Sequence, residues 1–530
     1  MTNSYHLGVV TDGLSPWLSR MLAQEGYLET RLEEAPLSDL IPMIFSLRSS
    51  QGLRSALADP RVVTIVTSHK FLSRLVASKV RRVAASRFEL EHGSNFAMNR
   101  HVFSLGKNFE AHLVSRGWSH YTRKGKKIQG SGVIAMTMRG KNLISLPWDL
   151  SKLPEAKAGL SQYFNHNPGT NTQYREISNG TDIRALRQIV GNLVEYSFAF
   201  SQLPLLKVSK FPKSGPHLIL RIDADGHSKK STAAILSVSK RLDAPFTWFI
   251  DTKNWVGAEE DLLAVARASE VALHCFHHMT FFRTRDNLEN LRLGTENLKL
   301  SGIVVNGAAS PLGMWTLGYM RALKNVRFRY SSEFALSEED LPFFPKDDRS
   351  GALQIPVGTG SAGVLTDPSG LRKYWQQTID RQLADCGVAI IYDHPLDRLE
   401  HHSEDLMHEL NSQIQKGATF ITMGEYADLW LSRPQILNAR YDDYKVWYTL
   451  SQTTEASRYQ VLESQPRECD LGSAILKNVN SAGIGARSSH GVTISGCLNL
   501  LLFISGTRLF DLWDFAIKRQ QVFRKKRISK

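Results

Sequence analysis

The chain of 530 residues has little cysteine and no long apolar run. Its four cysteines, Cys275, Cys386, Cys469 and Cys497, stand far apart and form no CxxC pair. This excludes a cysteine-rich zinc module or a disulfide scaffold and favours a reducing compartment. The apolar run 498–504 is far shorter than the ~20 residues of a membrane-spanning helix. The first residues lack the basic-then-apolar order of a secretory signal, so we expect a cytoplasmic location.

Positive charge is in excess, and much of it lies in one segment. Lysine and arginine number 65 against 51 aspartate and glutamate, which gives a formal charge of +14. Residues 508–530 hold eight basic and two acidic residues, so they contribute 8 − 2 = +6. No recognition motif or basic-aromatic platform accompanies the charge, and no nucleic-acid partner is expected.

The stretch LILRIDADG (218–226) predicts a buried strand that ends in carboxylates. Its apolar residues run up to Asp223 and Asp225, and Gly226 closes the run. Enzymes built from parallel strands and helices carry their chemistry at such strand ends. A DxDG turn can equally cap a helix, so this stretch alone does not decide.

A cluster of histidines follows a second short apolar run. Residues 271–273 precede His274, His277 and His278. Imidazole is the commonest transition-metal ligand near neutral pH, and His274 and His278 can face one ion from a single turn of backbone. A lone histidine is more often a core residue, whereas three within five positions favour a metal site.

Two later segments extend the pattern. The apolar run of VAIIYDHP (388–395) ends in Asp393 and His394, and AASPLGMW (308–315) contains a Pro-Gly turn. Acids and histidines at three strand ends predict a barrel whose site lies at one face.

In this order the segments resemble the polysaccharide deacetylase family, whose members use a metal to remove acetyl groups from N-acetylated sugars. The resemblance covers about residues 215–432. The matching motifs are Asp223-Ala-Asp225-Gly, His274-Cys-Phe-His-His278, Ala309-Ser-Pro311-Leu-Gly313 and His394. The resemblance implies an α/β fold with a distorted (β/α) barrel.

The resemblance also implies a set of roles. A divalent metal, with Zn²⁺ favoured, would be bound by Asp225, His274 and His278. Asp223 would act as the base and His394 as the acid. Supporting roles would fall to the loop residues Pro311, Leu312 and Gly313, near which a backbone N–H would hold an oxyanion, and to His277 and Asp393 as neighbours of the ligands and the acid.

Three departures from the family pattern concern the proton chemistry. Ala224 separates the two acids, which are adjacent in the family, and Cys275 stands where serine or threonine is usual. Ala309 replaces an arginine that orients the base in the family. Without that arginine we expect Asp223 to be held loosely and turnover to be slow.

The chain is long enough for several domains. Strand and helix patterns alternate over residues 1–150, which predicts a parallel sheet. This part faintly resembles class I amidotransferase-like domains, but no cysteine precedes Cys275 to serve as a nucleophile. The other predicted segments are a helical connector (151–214), the deacetylase-like barrel (215–435), a small β-rich domain (436–505) and a basic amphipathic tail (506–530).

Two functions remain open from the sequence. The first is a metal-dependent hydrolase that acts on an N-acetylated carbohydrate. The second is a weakly active or inactive glycan-binding or scaffold protein of the same fold, in surface-polysaccharide assembly. The altered acid pair favours the second, and the retained set of metal ligands favours the first.

The tail suggests contact with an anionic membrane surface, peripheral to the inner membrane. Leu509, Leu512, Trp513, Ala516 and Ile517 fall on one helical face amid basic residues. A terminal helix packed by this apolar stripe is the alternative.

Deletion of residues 508–530 is expected to reduce binding to anionic vesicles, because the basic charge is attracted to acidic headgroups. Co-sedimentation at low and high salt measures the effect, since screening should weaken binding by the parent chain. A full-length chain that ignores such vesicles at low salt would contradict the membrane contact.

Overall fold

The structure is a computed structural model in which two compact units are distinguished. Among the described residues, the first comprises those within 1–155, 180–214 and 429–485, and the second comprises those within 156–179 and 215–428. The residues that it describes are 4–75 (without 14), 133–146, 150, 183–333 (without 213), 337, 339–357, 370–451 and 459–464, with the backbone of short strands between 80 and 128 and between 162 and 177.

The first unit contains a seven-stranded sheet. Its helices are α1 (Pro16–Glu25), α2 (Ser50–Ala58), α3 (His69–Leu75) and α4 (Ile183–Phe200). Its strands before residue 150 are β1 (Tyr5–His6), β2 (Val9–Thr11), β3 (Glu29–Arg31), β4 (Ile41–Ser46), β5 (Val62–Ser68), β6 (Val80–Ala85), β7 (Arg87–Leu90), β8 (Asn95–Phe96), β9 (Arg100–Leu105), β10 (Leu113–Val114), β11 (Trp118–Tyr121), β12 (Lys127–Ile128), β13 (Ile134–Met138) and β14 (Lys141–Leu146).

The order of the large sheet is β10-β13-β14-β5-β4-β2-β3. The five strands from β14 to β3 pair in parallel, as the strand-helix alternation of the sequence predicts. β13 and β10 extend the sheet with antiparallel pairings. α1 begins at the N-cap Ser15 and ends at Gly26, whose left-handed backbone stops the helix.

Helix α4 is part of the core of the first unit. Its apolar side chains Ile189, Leu193 and Phe198 are fully buried in the cluster that also contains Met43 and Phe45 of β4. The sequence predicts the helix correctly but treats it as a polar connector within 151–214. The apolar stripe explains the difference, because a helix with such a face must bury it against another element.

Strands that follow residue 435 also pair within the first unit. β17 (Leu205–Val208) pairs with β28 (Val461–Ser464), and β26 (Ile436–Asp442) pairs with both β1 and β27 (Lys445–Leu450). The sequence predicts a separate β-rich domain over 436–505, whereas β26 and β28 pair with strands that come before residue 215. An isolated hairpin is marginally stable in water, so such strands need partners. Residues 465–530, with the predicted tail, lie outside the described residues.

The second unit is built on strands that alternate with helices. Its strands are β15 (Gln162–Asn165), β16 (Tyr174–Ile177), β18 (His217–Ala224), β19 (Thr247–Asp251), β20 (Glu270–Cys275), β21 (Gly307–Ala308), β22 (Tyr330–Ser331), β23 (Leu353–Gln354), β24 (Val388–Asp393) and β25 (Thr419–Phe420). Its helices are α5 (Lys229–Leu242), α6 (Glu259–Ala268), α7 (Thr284–Leu300), α8 (Leu317–Val326), α9 (Leu371–Cys386), α10 (Glu400–Gln415) and α11 (Met423–Leu431), which begins in this unit.

The predicted distorted (β/α) barrel is confirmed. The strand order is β23-β22-β21-β20-β19-β18-β24, with β25 also pairing with β18, and all of these pairings are parallel. The parallel sheet curls into a half-barrel. Parallel strands place their carboxyl ends at the same edge, which brings the predicted motifs of β18, β20 and β24 together.

Two central strands of this barrel, β18 and β19, are buried along their whole length. All eight residues of β18 and all five residues of β19 are buried, which matches near-continuous apolar runs covered on both faces. Within the described part of the chain, no helix is both long and apolar enough to span a membrane.

Candidate metal centre

Asp225 lies at the first turn beyond β18, and two side chains hold that turn. The amide of Asn254 donates to the backbone carbonyl of Asp225 at 2.9 Å. The indole N–H of Trp255 donates to the carbonyl of Ala224 at 3.2 Å. Both residues belong to the loop after β19, so the neighbouring strand fixes the backbone that carries the acid.

The loop after β20 is pinned from helix α7. Oδ1 of Asn290 accepts from the backbone N–H groups of Phe276 and His277, at 3.1 and 2.7 Å. Its Nδ2 donates to the carbonyls of His277 and Met279, at 3.1 and 3.0 Å. One buried amide therefore sets the path of the segment that contains His278.

Three side-chain atoms converge at this edge of the barrel. Oδ1 of Asp225 lies 3.1 Å from Nε2 of His274 and 3.2 Å from Nε2 of His278. The two imidazole nitrogens lie 3.3 Å apart. Asp225, His274 and His278 form the group of potential metal ligands found among the described residues.

The dimensions of this triangle match a tetrahedral zinc site. Ligand atoms at about 2.0–2.1 Å from a tetrahedral zinc are separated from one another by about 3.3 Å. The three separations in the protein are 3.1, 3.2 and 3.3 Å. Oδ1 of Asp225 is also buried without a hydrogen bond, although both nitrogens approach it. The residues therefore fit a divalent cation of the zinc type.

The backbone of the third motif orients one of the ligands. Nδ1 of His274 lies 3.1 Å from the carbonyl oxygen of Ala309. Because a carbonyl can only accept, Nδ1 carries the proton and donates it, which leaves the lone pair of Nε2 directed at the triangle. Ala309 thus contributes to the site through its main chain.

Electrostatics keep Asp225 ionised. Burial raises the pKa of its carboxyl group, but the charge of His278 and the close contacts with His274 and His278 outweigh burial. The pKa of Asp225 is therefore held well below its usual range. Burial lowers the pKa of His274, yet the contact with Asp225 leaves that pKa raised.

His394 reaches the same carboxylate from β24. Its Nε2 lies 3.3 Å from Oδ2 of Asp225, and its side chain is 19% exposed. Its ring packs edge-on against that of Tyr392, with centroids 5.3 Å apart. Asp393 accepts the backbone N–H of His394 through Oδ1 at 2.8 Å, so it caps the turn that presents the histidine.

The other predicted neighbours take backbone or packing positions. The ring of His277 packs edge-on against that of Phe276, outside the triangle. Pro311–Gly313 forms a 3₁₀ turn in which Leu312 has a φ of 59°, a left-handed conformation that is strained for leucine. The N–H of Gly313 donates to the carbonyl of Ser310 at 3.1 Å, so this N–H is used within the turn.

The expectation that Asp223 is loosely held is corrected by the structure. Nε and Nη2 of Arg221 donate to the two oxygens of Asp223, at 2.9 and 2.8 Å. Arg221 precedes Asp223 by two positions on β18, and strand residues two apart share a face. An arginine on the same strand therefore fixes the orientation of this acid. The family pattern places the corresponding arginine at position 309, which is alanine here.

Two further acids lie near the site and were missed in the sequence. Asp251 ends β19, and burial, only partly offset by the charges of His278 and His274, raises its pKa to about 6. Glu333 follows β22, and burial raises its pKa to about 7. The sequence pattern could have predicted Asp251, because this acid follows the apolar run Trp248–Ile250. The acids of β18 and β24 follow apolar runs in the same way. Glu333 follows a strand of only two residues, which gives no comparable pattern.

The chain matches no protein-family model. No curated protein matches it either. Solved structures do match, among them a protein of Mycobacterium smegmatis assigned as a polysaccharide deacetylase, at 15% identity over 42% of this chain and 92% of that one, with a TM-score of 0.38.

Two other solved structures match at similarly low identity and TM-score. One is a family 4 acetyl xylan esterase of Clostridium thermocellum in complex with a cobalt ion, at 13% identity over 40% of this chain and 90% of that one, with a TM-score of 0.30. The other is a family CE4 pseudoenzyme of Bacillus anthracis, at 13% identity over 41% and 66%, with a TM-score of 0.30. At these scores the likeness decides nothing about activity, so function is argued below from the site.

Replacing His274 or His278 by alanine is expected to remove most of the divalent metal that the purified chain binds, because each change deletes one corner of the ligand triangle. Elemental analysis of the purified proteins measures the metal content. His401→Ala, at a histidine whose side chain is 56% exposed on α10, is the control and should retain the metal. Stoichiometric zinc in both His274 and His278 variants would eliminate the triangle as the site.

The raised pKa of Glu333 predicts a loss of stability with rising pH. The folded chain keeps this proton up to about pH 7, whereas the unfolded chain releases it near 4.5. Between those values the free energy of unfolding should fall by about 3 kcal/mol, since one pKa unit corresponds to about 1.4 kcal/mol. Glu333→Gln should remove this fall, as measured by urea unfolding at about pH 5 and about pH 8.

The matched control for this measurement is Glu404→Gln, because the Glu404 side chain is 70% exposed. That variant should keep the pH dependence of the parent. Equal pH dependence in the parent and in Glu333→Gln would show that Glu333 is already ionised at low pH.

Proposed function

We propose that the second unit is a metal-dependent hydrolase that removes an acetyl group from an N-acetylated glycan or sugar intermediate. The observation that carries the proposal is the triangle of Asp225, His274 and His278, with a separate carboxylate, Asp223, on the same strand. A metal-binding protein without catalysis has no need of the second, separately held acid. The type of substrate is taken from the resemblance in motif order.

The ligand set suits hydrolysis. One carboxylate and two imidazoles leave coordination positions open, which is the pattern of catalytic rather than structural zinc sites. A divalent ion bound there would polarise the acyl carbonyl and lower the pKa of a water molecule. The side-chain amide of Asn254 holds the backbone of Asp225, and the Ala309 carbonyl orients the ring of His274, so these two residues are preorganised from outside the triangle.

The proton transfers are assigned to Asp223 and His394. Asp223 takes the proton of the attacking water as its oxygen forms the new bond to the acyl carbon. His394 gives a proton to the amine nitrogen as the C–N bond breaks, so the products are acetate and a free amine. The partial exposure of His394 lets it exchange protons with solvent between turnovers.

A catalytically weak or inactive glycan-binding protein remains the competing function. Two features of the sequence favour this function: the absence of an arginine at position 309, and the separation of the two acids of the first motif by Ala224. Arg221 now supplies a guanidinium to Asp223, which removes the first of these arguments. The proposed setting, a cytoplasmic step of surface-polysaccharide assembly with peripheral membrane contact through residues 508–530, follows from the sequence alone.

Asp223→Asn is expected to lower turnover by ~10²-fold or more, the usual cost of removing a general base, while zinc remains bound. The measurement is acetate release from a panel of N-acetylated oligosaccharides and sugar nucleotides with zinc present. Asp251→Asn is the matched control, since it removes another buried acid at the same edge of the barrel.

The control variant should lose much less turnover than Asp223→Asn. If the order is reversed, Asp251 is the base and Asp223 has a structural role. If the parent chain releases no acetate from the whole panel, the glycan-binding function takes the place of the hydrolase.

A further inference from the structure

Arg221 is a charged residue inside an apolar strand. It lies in the middle of β18, and its side chain has no exposed surface. Burying a guanidinium costs several kcal/mol unless it is paired and hydrogen-bonded. A protein of this size contains many exposed arginines, so a fully buried one at this position calls for a function.

The guanidinium is fixed by hydrogen bonds at both ends. Nε and Nη2 form a two-pronged pair with Oδ1 and Oδ2 of Asp223, at 2.9 and 2.8 Å. Nη1 donates to the carbonyl and to the hydroxyl of Ser332, at 3.1 and 2.9 Å. Such fork-to-carboxylate pairing determines the orientation of the acid as well as its charge.

Two aromatic rings enclose the same group. The guanidinium carbon lies 4.9 Å from the ring centre of Phe249 and 5.2 Å from that of Tyr392. Phe249 belongs to β19 and Tyr392 to β24, the two strands on either side of β18. Ser332 follows β22, so residues from four strands restrict the position of Arg221.

A second acid near Arg221, Glu333, takes no part in the two-pronged pair. Glu333 accepts from the backbone N–H of Ser310 at 3.2 Å and from the hydroxyl of Ser331 at 3.0 Å. Burial raises its pKa to about 7, so it carries only part of a full negative charge at neutral pH. The two-pronged contact of Arg221 is made with Asp223.

We propose that Arg221 is a positioning residue that holds the carboxylate of Asp223 in the orientation needed to accept a proton at the metal site. The inference rests on the proposed function, because it assigns Asp223 as the base. Arg221 touches neither the ligand triangle nor, by this proposal, the substrate. Its whole effect on the reaction passes through Asp223.

The test uses the full-length, zinc-loaded chain with Arg221→Met and Arg221→Lys, each with and without Asp223→Asn. Arg221→Met removes the fork at similar length, and Arg221→Lys keeps the charge but not the two-pronged geometry. We expect kcat to fall roughly 10- to 100-fold in Arg221→Met and less in Arg221→Lys, with KM within about threefold of the parent. In the Asp223→Asn background neither change should lower kcat further.

A second readout does not depend on turnover. Acetohydroxamate binds zinc, and its N–H and O–H groups can donate hydrogen bonds to an oriented carboxylate beside the metal. Its affinity, measured by calorimetry, should fall roughly tenfold or more in Arg221→Met and should be unaffected by that change once Asp223 is asparagine. If the parent releases no acetate, the hydrolase proposal fails, and this cycle still decides the role of Arg221.

Arg381→Met is the matched control. Arg381 forms a similar two-pronged pair with the buried Glu339, at 3.0 and 2.7 Å, in the same unit. Breaking it should lower thermal stability but leave kcat and hydroxamate affinity unchanged. Zinc content and thermal unfolding of every variant separate lost positioning from lost folding, and Arg221→Lys provides the comparison if Arg221→Met does not fold.

Two results would overturn the proposal. One is parental kcat and parental hydroxamate affinity in a folded Arg221→Met chain. The other is a fall of the same size with Asp223 present and with Asp223→Asn, which would show that Arg221 acts on the site by another route.

Discussion

The parallel register of β18 with its neighbours is the constraint on which the site depends. Strand residues two apart share a face, so Arg221, Asp223 and Asp225 leave β18 on the same side. The register places Phe249 of β19 beside Asp223 and Tyr392 of β24 beside Arg221. A slip of one residue would turn the acids and the arginine into the apolar layer beneath the helices. Asp223 and the guanidinium that pairs with it are thus positioned by one set of backbone hydrogen bonds.

The fold could be read from the sequence where local pattern was strong. Apolar runs that end in acids predicted β18 and β24 close to their observed bounds. Assignment of later segments to units could not be read in the same way. The partner of β26 is β1 at the other end of the chain, and nothing in either short segment encodes that pairing.

The site was predictable to the extent that its residues stand at strand ends. Asp225, His274 and His278 were found because each follows an apolar run, and the structure brings their ligand atoms together. Arg221 was overlooked because an arginine inside an apolar run looks like an interruption of the pattern. Its significance appears only when strand alternation is combined with the burial of its partner two residues later. Glu333 escaped for a different reason, since a strand of two residues leaves almost no periodicity to detect.

The enclosure of Arg221 also bears on how the barrel assembles. Burial of its guanidinium has a large desolvation free energy, which only its partners offset. These partners are Asp223, Ser332 and the strands that carry Phe249 and Tyr392. These groups come from positions far apart in the chain. Bringing them together lowers the chain entropy before the contacts form, which makes this step of folding unfavourable at first. A half-formed barrel would keep this strand hydrated. The burial of Arg221 therefore couples the assembly of β18, β19, β22 and β24, because each of these strands or the residue that follows it contributes to the enclosure.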